Sequence, residues 1–346
     1  MSKMLEEIRQ QPKALAATLK SEWKNIESLK RQFEAYRPRL IVLAARGTSD
    51  NAAQFGRYLL ELMTGIPVSL AAPSLYTVYG ANLDLEETLV VAISQSGEST
   101  DTNKVLERAK EMGAFTLGIT NEEDSTLAKL GHATILVRAG KEKSVAATKT
   151  YTGQLMAMYL LAYALGAKLE RKNLEALPEL ADKALRLEKD IAAMAGRYRF
   201  MEHAVVVGRG LNYANAFEFA LKMMETCYVV AERFSSADLL HGPIAMVHPH
   251  FPAFVFAPSG PTWNPVSQFL ERIDATTGES LIVTDRSNKA AFASNRRAIR
   301  IPVAIPELYT PIPYIIPGQL FAGYLAQEKG LNPDQPRSLS KVTRTM

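Results

Sequence analysis

Along the chain, apolar residues alternate between helical spacing and short continuous runs. Residues 4–36 place Leu5, Ile8, Leu15, Leu19, Trp23, Ile26 and Leu29 at helical intervals among charges, which predicts amphipathic helices. Leu40–Ala45 is a continuous apolar run ending in Arg46-Gly47-Thr48-Ser49-Asp50, the pattern of a buried strand feeding a turn. Helical spacing then resumes over Asn51–Thr64. Val68–Ala71, Thr88–Ile93, Phe115–Thr120 and Ala133–Val137 predict further strands, with a helix through Val105–Met112. Strands alternating with helices predict an α/β fold whose mostly parallel sheet is covered on both faces.

The plan then repeats. Val205-Val206-Val207-Gly208-Arg209-Gly210 echoes Leu43-Ala44-Ala45-Arg46-Gly47, with Arg209 standing 209 − 46 = 163 residues after Arg46. Ser259-Gly260 follows Ser96-Gly97 (259 − 96 = 163), and Leu270-Glu271-Arg272 follows Leu106-Glu107-Arg108 (270 − 106 = 164). Gly318-Gln319-Leu320 follows Gly153-Gln154-Leu155 (318 − 153 = 165). Each match alone is weak, but four in order at a nearly constant offset predict a duplicated unit. The expected organisation is an N-terminal helical segment over 1–35, a first unit over 36–170, a helical connector over 171–199, a second unit over 200–330 and a tail over 331–346.

Composition narrows the class. The 346 residues are 47% hydrophobic and 22% charged, ordinary globular values, and suffice for two domains. The net charge of +4 is spread without a basic run, which argues against a nucleic-acid surface. Cys227 is the only cysteine, so no internal disulfide can form, and a reducing cytosol fits. The opening MSKMLEEIRQQPK has no apolar core and is not expected to be a signal peptide. Tyr151–Ala167 is interrupted by Thr152, Gly153 and Gln154 and is short for a membrane span, so a buried helix is the better reading. The expectation is a soluble cytoplasmic protein with no membrane or nucleic-acid partner.

In open α/β sheets, ligands bind beyond the carboxyl ends of the strands. Two predicted turns there are rich in hydroxyls: Gly47-Thr48-Ser49 and Ser94-Gln95-Ser96-Gly97-Glu98-Ser99. Small residues leading into a helix N-terminus offer N–H groups and a favourable dipole to a phosphate dianion. The competing reading is that Ser94 or Ser99 merely caps a helix. The counterpart turn, Ala257-Pro258-Ser259-Gly260-Pro261-Thr262, has two prolines that remove N–H donors, so phosphate is expected on the first copy only. In the second copy Glu218, Lys222 and Glu225 share one face of a predicted helix that leads to His241 in a tight turn. A solvated salt-bridge stripe is the alternative, weakened by the apolar Phe217, Phe219, Ala220, Leu221, Met223 and Met224 around it. Carboxylate, amine and imidazole together suit acid–base chemistry on a sugar carbonyl. His241, His248 and His250 lack an intervening carboxylate, so no metal is expected, and Cys227 reads as a buried residue without a paired base.

SQSGES at 94–99, GTS at 47–49, VAATKTYT at 145–152, ALKMMETCYVVAERFSSADLLHGP at 220–243 and DQPRSLSK at 334–341 resemble the tandem sugar isomerase (SIS) family. That family includes the isomerase domain of glucosamine-6-phosphate synthase and SIS-type glucosamine-6-phosphate deaminases. The resemblance covers the chain from about residue 36 and implies two five-stranded, flavodoxin-like three-layer sandwiches. It implies phosphate and sugar binding by Gly47, Thr48, Ser49, Ser94, Gln95, Ser96 and Ser99, a backbone contact from Val145, and a place for Ser340 beside the tail lysine. It implies that Glu225 moves a proton between C1 and C2, with Lys222 beside it, and that His241 assists ring opening from a neighbouring subunit of a homodimer. Lys341 matches a lysine that forms a Schiff base with the open-chain ketose. No cofactor is implied. Arg46 stands where the synthase has cysteine, which looks more like the deaminase branch. Too few residues precede the first strand for a glutaminase domain, and Ser2 follows Met1 where its cysteine nucleophile would stand. The expected reaction is glucosamine 6-phosphate plus water to fructose 6-phosphate plus ammonia. Alternatives are another aminated or glycated hexose phosphate as substrate, an ammonia-dependent aminating subunit, or a non-catalytic phosphosugar sensor.

Overall fold

The computed structural model describes residues 2–292 and 296–341. In chain order, α1 (Lys3–Arg9) and α2 (Gln11–Tyr36) precede β1 (Leu40–Ala44), α3 (Thr48–Thr64), β2 (Val68–Leu70) and α4 (Pro73–Thr77). Then come β3 (Thr88–Ser94), α5 (Thr100–Glu111), β4 (Phe115–Thr120), α6 (Thr126–Leu130), β5 (Ala133–Leu136) and α7 (Lys149–Ala164). Two further helices, α8 (Arg171–Leu185) and α9 (Glu188–Ala195), lead to β6 (His203–Gly208), α10 (Tyr213–Cys227), β7 (Val230–Ser235) and α11 (Ser236–Leu240). The chain closes with β8 (Pro252–Phe256), α12 (Trp263–Ala275), β9 (Glu279–Asp285), β10 (Arg297–Ile301) and α13 (Pro311–Glu328). Among the described residues no helix is long and apolar enough to cross a membrane.

The first compact unit comprises Gln10–Lys143, Ala147–Pro178 and the tail from Ser338. Its sheet runs β2-β1-β3-β4-β5, with every neighbouring pair parallel. Helices cover both faces, so β3 is buried along all seven residues and its Leu89–Ile93 reads as an unbroken apolar run. Val42, Ala44, Val90 and Ala92 pack with Val105, Leu106 and Ala109 of α5 on one side. On the other, α7 lies against α2 and α3. Nearly every residue of α7 is buried, which explains why its sequence shows no polar face.

The second unit comprises residues up to Arg9, Ser144–Ala146 and Glu179–Arg337. Its sheet runs β7-β6-β8-β9-β10, again all parallel. The duplication is therefore exact in topology: β6 begins 203 − 40 = 163 residues after β1, and β8, β9 and β10 each begin 164 after their counterparts (252 − 88, 279 − 115, 297 − 133). The repeated Gly-Gln-Leu has a packing reason in both copies. A Cβ at Gly153 would collide with Val137, and one at Gly318 would stand 3.0 Å from Phe219 Cγ. The glycines let α7 and α13 approach their neighbours closely. Two helices begin earlier than the sequence reading: α3 at Thr48, three residues before Asn51, and α5 at Thr100, five before Val105. The first turn of α5 is Thr-Asp-Thr-Asn, poor in helix propensity but with Asp101 favourably placed at the N-terminus.

Candidate active site

In both sheets the chain reverses its direction of progress after the second strand, so the crevice lies beyond the carboxyl ends of β1 and β3, and of β6 and β8. In the first unit those ends carry the two hydroxyl-rich turns. Gly47 enters α3 at φ 56° and ψ −132°, a conformation that suits glycine. Ser49 is buried and its Oγ accepts from Gln154 Nε2 at 2.9 Å, so the middle residue of the Gly-Gln-Leu repeat pins this turn. Thr48, partly buried, opens the helix.

The serine turn is held from inside. Ser94 Oγ accepts from Gly97 N–H at 3.1 Å, and Ser96 Oγ accepts from Glu98 N–H at 3.2 Å. The Gln95 carbonyl accepts from Asn121 N–H, and the Gly97 carbonyl accepts from Asn103 Nδ2. Gly97 itself is at φ 67°, where any Cβ would run into Ser125. Ser99 occupies the N-cap position of α5, but its hydroxyl bonds the Thr102 hydroxyl at 3.0 Å and makes no side-chain cap to the helix backbone. Helix capping therefore does not account for Ser99. Arg46 pairs with the buried Asp101 at 2.7 Å, from the end of β1 to the first turn of α5.

The counterpart turn of the second unit is filled by a carboxylate. Glu307 accepts from Thr262 N–H at 3.1 Å and from the Thr262 hydroxyl at 2.8 Å. Thr262 is the N-cap of α12, as Ser99 is of α5 (262 − 99 = 163). A Cβ on Gly260, at φ 140°, would come within 2.5 Å of Glu307 Oε2. The place where a helix N-terminus could face an external anion is thus held by an anion of the chain. The sequence reading found the asymmetry through the prolines and had no signal for Glu307, which lies 45 residues beyond Thr262.

On α10 the expected trio does share one face. The Lys222 side chain is fully buried, with Nζ 2.6 Å from Glu225 Oε2 and 3.5 Å from the equally buried Glu218 Oε1. Glu225 keeps 23% of its side chain exposed. An amine shut between two carboxylates, one sealed and one open, is no solvated stripe. The helix is held by Phe219, packed edge-on to Phe254 and Phe321, and by Cys227, whose thiol donates to the Ala322 carbonyl at 3.2 Å. Burial pushes that thiol up to about 11, so it is a packing group.

The remaining expected residues lie on other segments of the chain. His241 follows α11 as its C-cap and is exposed. Val145 is partly buried beside Ser144, whose N–H donates to Glu7. Ser340 is exposed, and Lys341 after it donates to Glu142 Oε2 at 3.0 Å. Glu142 was not visible in the sequence, because Lys141-Glu142-Lys143 reads as a solvated charged loop, yet its side chain is fully buried. Among the described residues no cluster of three or more His, Cys, Asp or Glu is placed to hold a metal ion.

Comparison with known proteins places this geometry. The SIS domain pattern matches residues 36–164 and 199–328. The chain is 34% identical over 343 residues to the glutamine–fructose-6-phosphate aminotransferase (isomerizing) of Aquifex aeolicus, covering 98% of this chain and 57% of that protein. It is 36% identical over 345 residues to the enzyme of the same name from Pyrococcus horikoshii, again with 98% and 57% coverage. The chain therefore spans little more than half the length of these curated relatives. The solved C-terminal domain of glucosamine-fructose-6-phosphate aminotransferase from Francisella tularensis superposes with a TM-score of 0.89 at 28% identity, over 97% of this chain and 98% of that one. With two matched copies, two parallel sheets of one order and relatives aligned over nearly its whole length, this chain belongs to the SIS domain family.

Proposed function

We propose that the chain converts glucosamine 6-phosphate and water into fructose 6-phosphate and ammonia. The observation that carries this reading is the α10 cluster, in which the solvent-accessible carboxylate of Glu225 is fixed 2.6 Å from a buried ammonium. Gly47, Thr48, Ser49, Ser94, Gln95, Ser96 and Ser99 bind the phosphate and sugar, so that remote binding energy orients C1 and C2. His241 assists opening of the ring. Its exposure on α11 suits service to the sugar of a second copy, so the reading includes a homodimer. Glu225 takes the C2 proton of the open aldose and returns it to C1. The nitrogen is then left on a ketose-level iminium, which water hydrolyses to the ketone and ammonia. Lys222 orients Glu225 through their 2.6 Å contact. Val145 and Ser340 flank the sugar, and Lys341 engages the open-chain ketose.

The test is ammonia release from glucosamine 6-phosphate. Glu225→Gln should lose about 100-fold or more of the rate, the usual scale for removing a general base. An unchanged rate removes Glu225 from this role. A second reading, the same chemistry in the aminating direction with ammonia supplied by a separate glutamine-hydrolysing protein, is favoured by the names of the relatives. Formation of glucosamine 6-phosphate from fructose 6-phosphate and ammonium, faster than ammonia release at comparable saturation, would select it.

A further inference from the structure

Glu142 lies in the loop between β5 and α7 and has no part in the steps above. It is wholly buried, yet it is satisfied as an anion. Thr148 N–H donates to it at 2.8 Å, Thr150 N–H at 3.2 Å and the Thr150 hydroxyl at 2.7 Å, all from the N-terminal end of α7. Its fourth partner comes from the far end of the chain: Lys341 Nζ, 199 residues away, donates at 3.0 Å. Burial alone pushes the Glu142 carboxyl up. The ammonium of Lys341, the Thr150 hydroxyl and the Thr148 N–H outweigh that and hold it below the usual carboxylate range. A buried carboxylate is costly unless paired, so the site demands a cation. The residues just before Lys341 (Ser338, Leu339 and Ser340) are exposed, and the lysine is the part of this stretch that enters protein.

We propose that Glu142 is the positioning residue for Lys341, a docking point on the N-terminus of α7 that seats the tail's amine for its encounter with the ketose. The catalytic consequence rests on the reaction proposed above; the docking does not. A free lysine side chain samples many rotamers, and an ion pair to a buried, hydrogen-bonded carboxylate removes that freedom before substrate arrives. An ammonium cannot attack a carbonyl. To react, Nζ gives up one proton to solvent and its lone pair bonds to the ketose carbonyl carbon. The carbonyl oxygen then leaves as water with the two remaining amine protons, giving the imine.

The experiment compares wild type, Glu142→Gln and Glu142→Asp as full chains. Glutamine keeps an oxygen to accept from Thr148 and Thr150 but loses the charge, which separates docking of Lys341 from capping of α7. Brief acetic anhydride labelling without sugar, read by mass spectrometry as Lys341 against the exposed Lys104, reports the state of the amine. Lys341 should label about tenfold faster relative to Lys104 in Glu142→Gln, with aspartate in between, because the amine seated on Glu142 is engaged in a hydrogen bond to its carboxylate and only 25% of its side chain is exposed. In turnover, Glu142→Gln should lower kcat by about tenfold while KM stays within about twofold, and Glu142→Asp should recover much of it. Identical labelling ratios in wild type and Glu142→Gln overturn the proposal. A wild-type chain that protects Lys341 but turns over no amino-sugar phosphate removes the reaction and leaves the docking standing.

Discussion

Lys222 shows how little of a site's character resides in residue type. The same Glu-x-x-x-Lys-x-x-Glu spacing on an exposed helix contributes a few tenths of a kcal/mol per pair. Here Lys222 and Glu218 are sealed, and removing the amine leaves Glu218 as a buried charge without its cation. Lys222→Met should cost about 3–5 kcal/mol, the scale for breaking a buried pair from one side. Adding Glu218→Gln should return part of it. Thermal unfolding of the single and double variants checks this, and equal melting of Lys222→Met and wild type would refute it. Glu142 makes a prediction with a definite pH sign. Its carboxyl is held below its unfolded value, so its contribution to stability is full above that value and is lost as pH falls through the lower, folded one. Stability differences between wild type and Glu142→Gln should be largest near neutrality and vanish in acid, as denaturant titrations at several pH values would record. At this scale the sequence was informative where a turn follows a strand, as for Ser94 and Gly97. It was silent where burial decides, as for Glu142 and Glu307.

At the scale of elements, α10 carries the proposed proton-moving groups and α13 sets where α10 lies. Gly318 touches Phe219, and a side chain there would have to push the phenyl ring and the helix behind it. Gly318→Val should cost about 1–3 kcal/mol by overpacking. Its effect on turnover should exceed that of an exposed α13 substitution of similar stability, because it displaces Lys222 and Glu225 together. Matched loss of rate and stability in both variants would count against this coupling. The strands were legible because parallel sheets buried on both faces leave continuous apolar runs, such as Leu89–Ile93. The start of α5 was not, because its first turn, Thr-Asp-Thr-Asn, is polar and poor in helix propensity.

Across the whole molecule, duplication was legible as four short echoes, and each proved to mark an equivalent element. What they could not convey is how the two copies diverged. The first copy's turn is lined with hydroxyls; the second carries its own carboxylate, Glu307, on the N-cap of α12. An internal anion is present at an effective concentration that no dissolved phosphosugar matches. The consequence is one of stoichiometry. Calorimetric titration with fructose 6-phosphate should saturate at about one equivalent per chain, with no weaker second phase, because the covalently tethered competitor never leaves. Two equivalents would mean that Glu307 yields its place. On the one-equivalent expectation, duplicating the unit adds a second sheet and a second set of turns without adding a second place for phosphate.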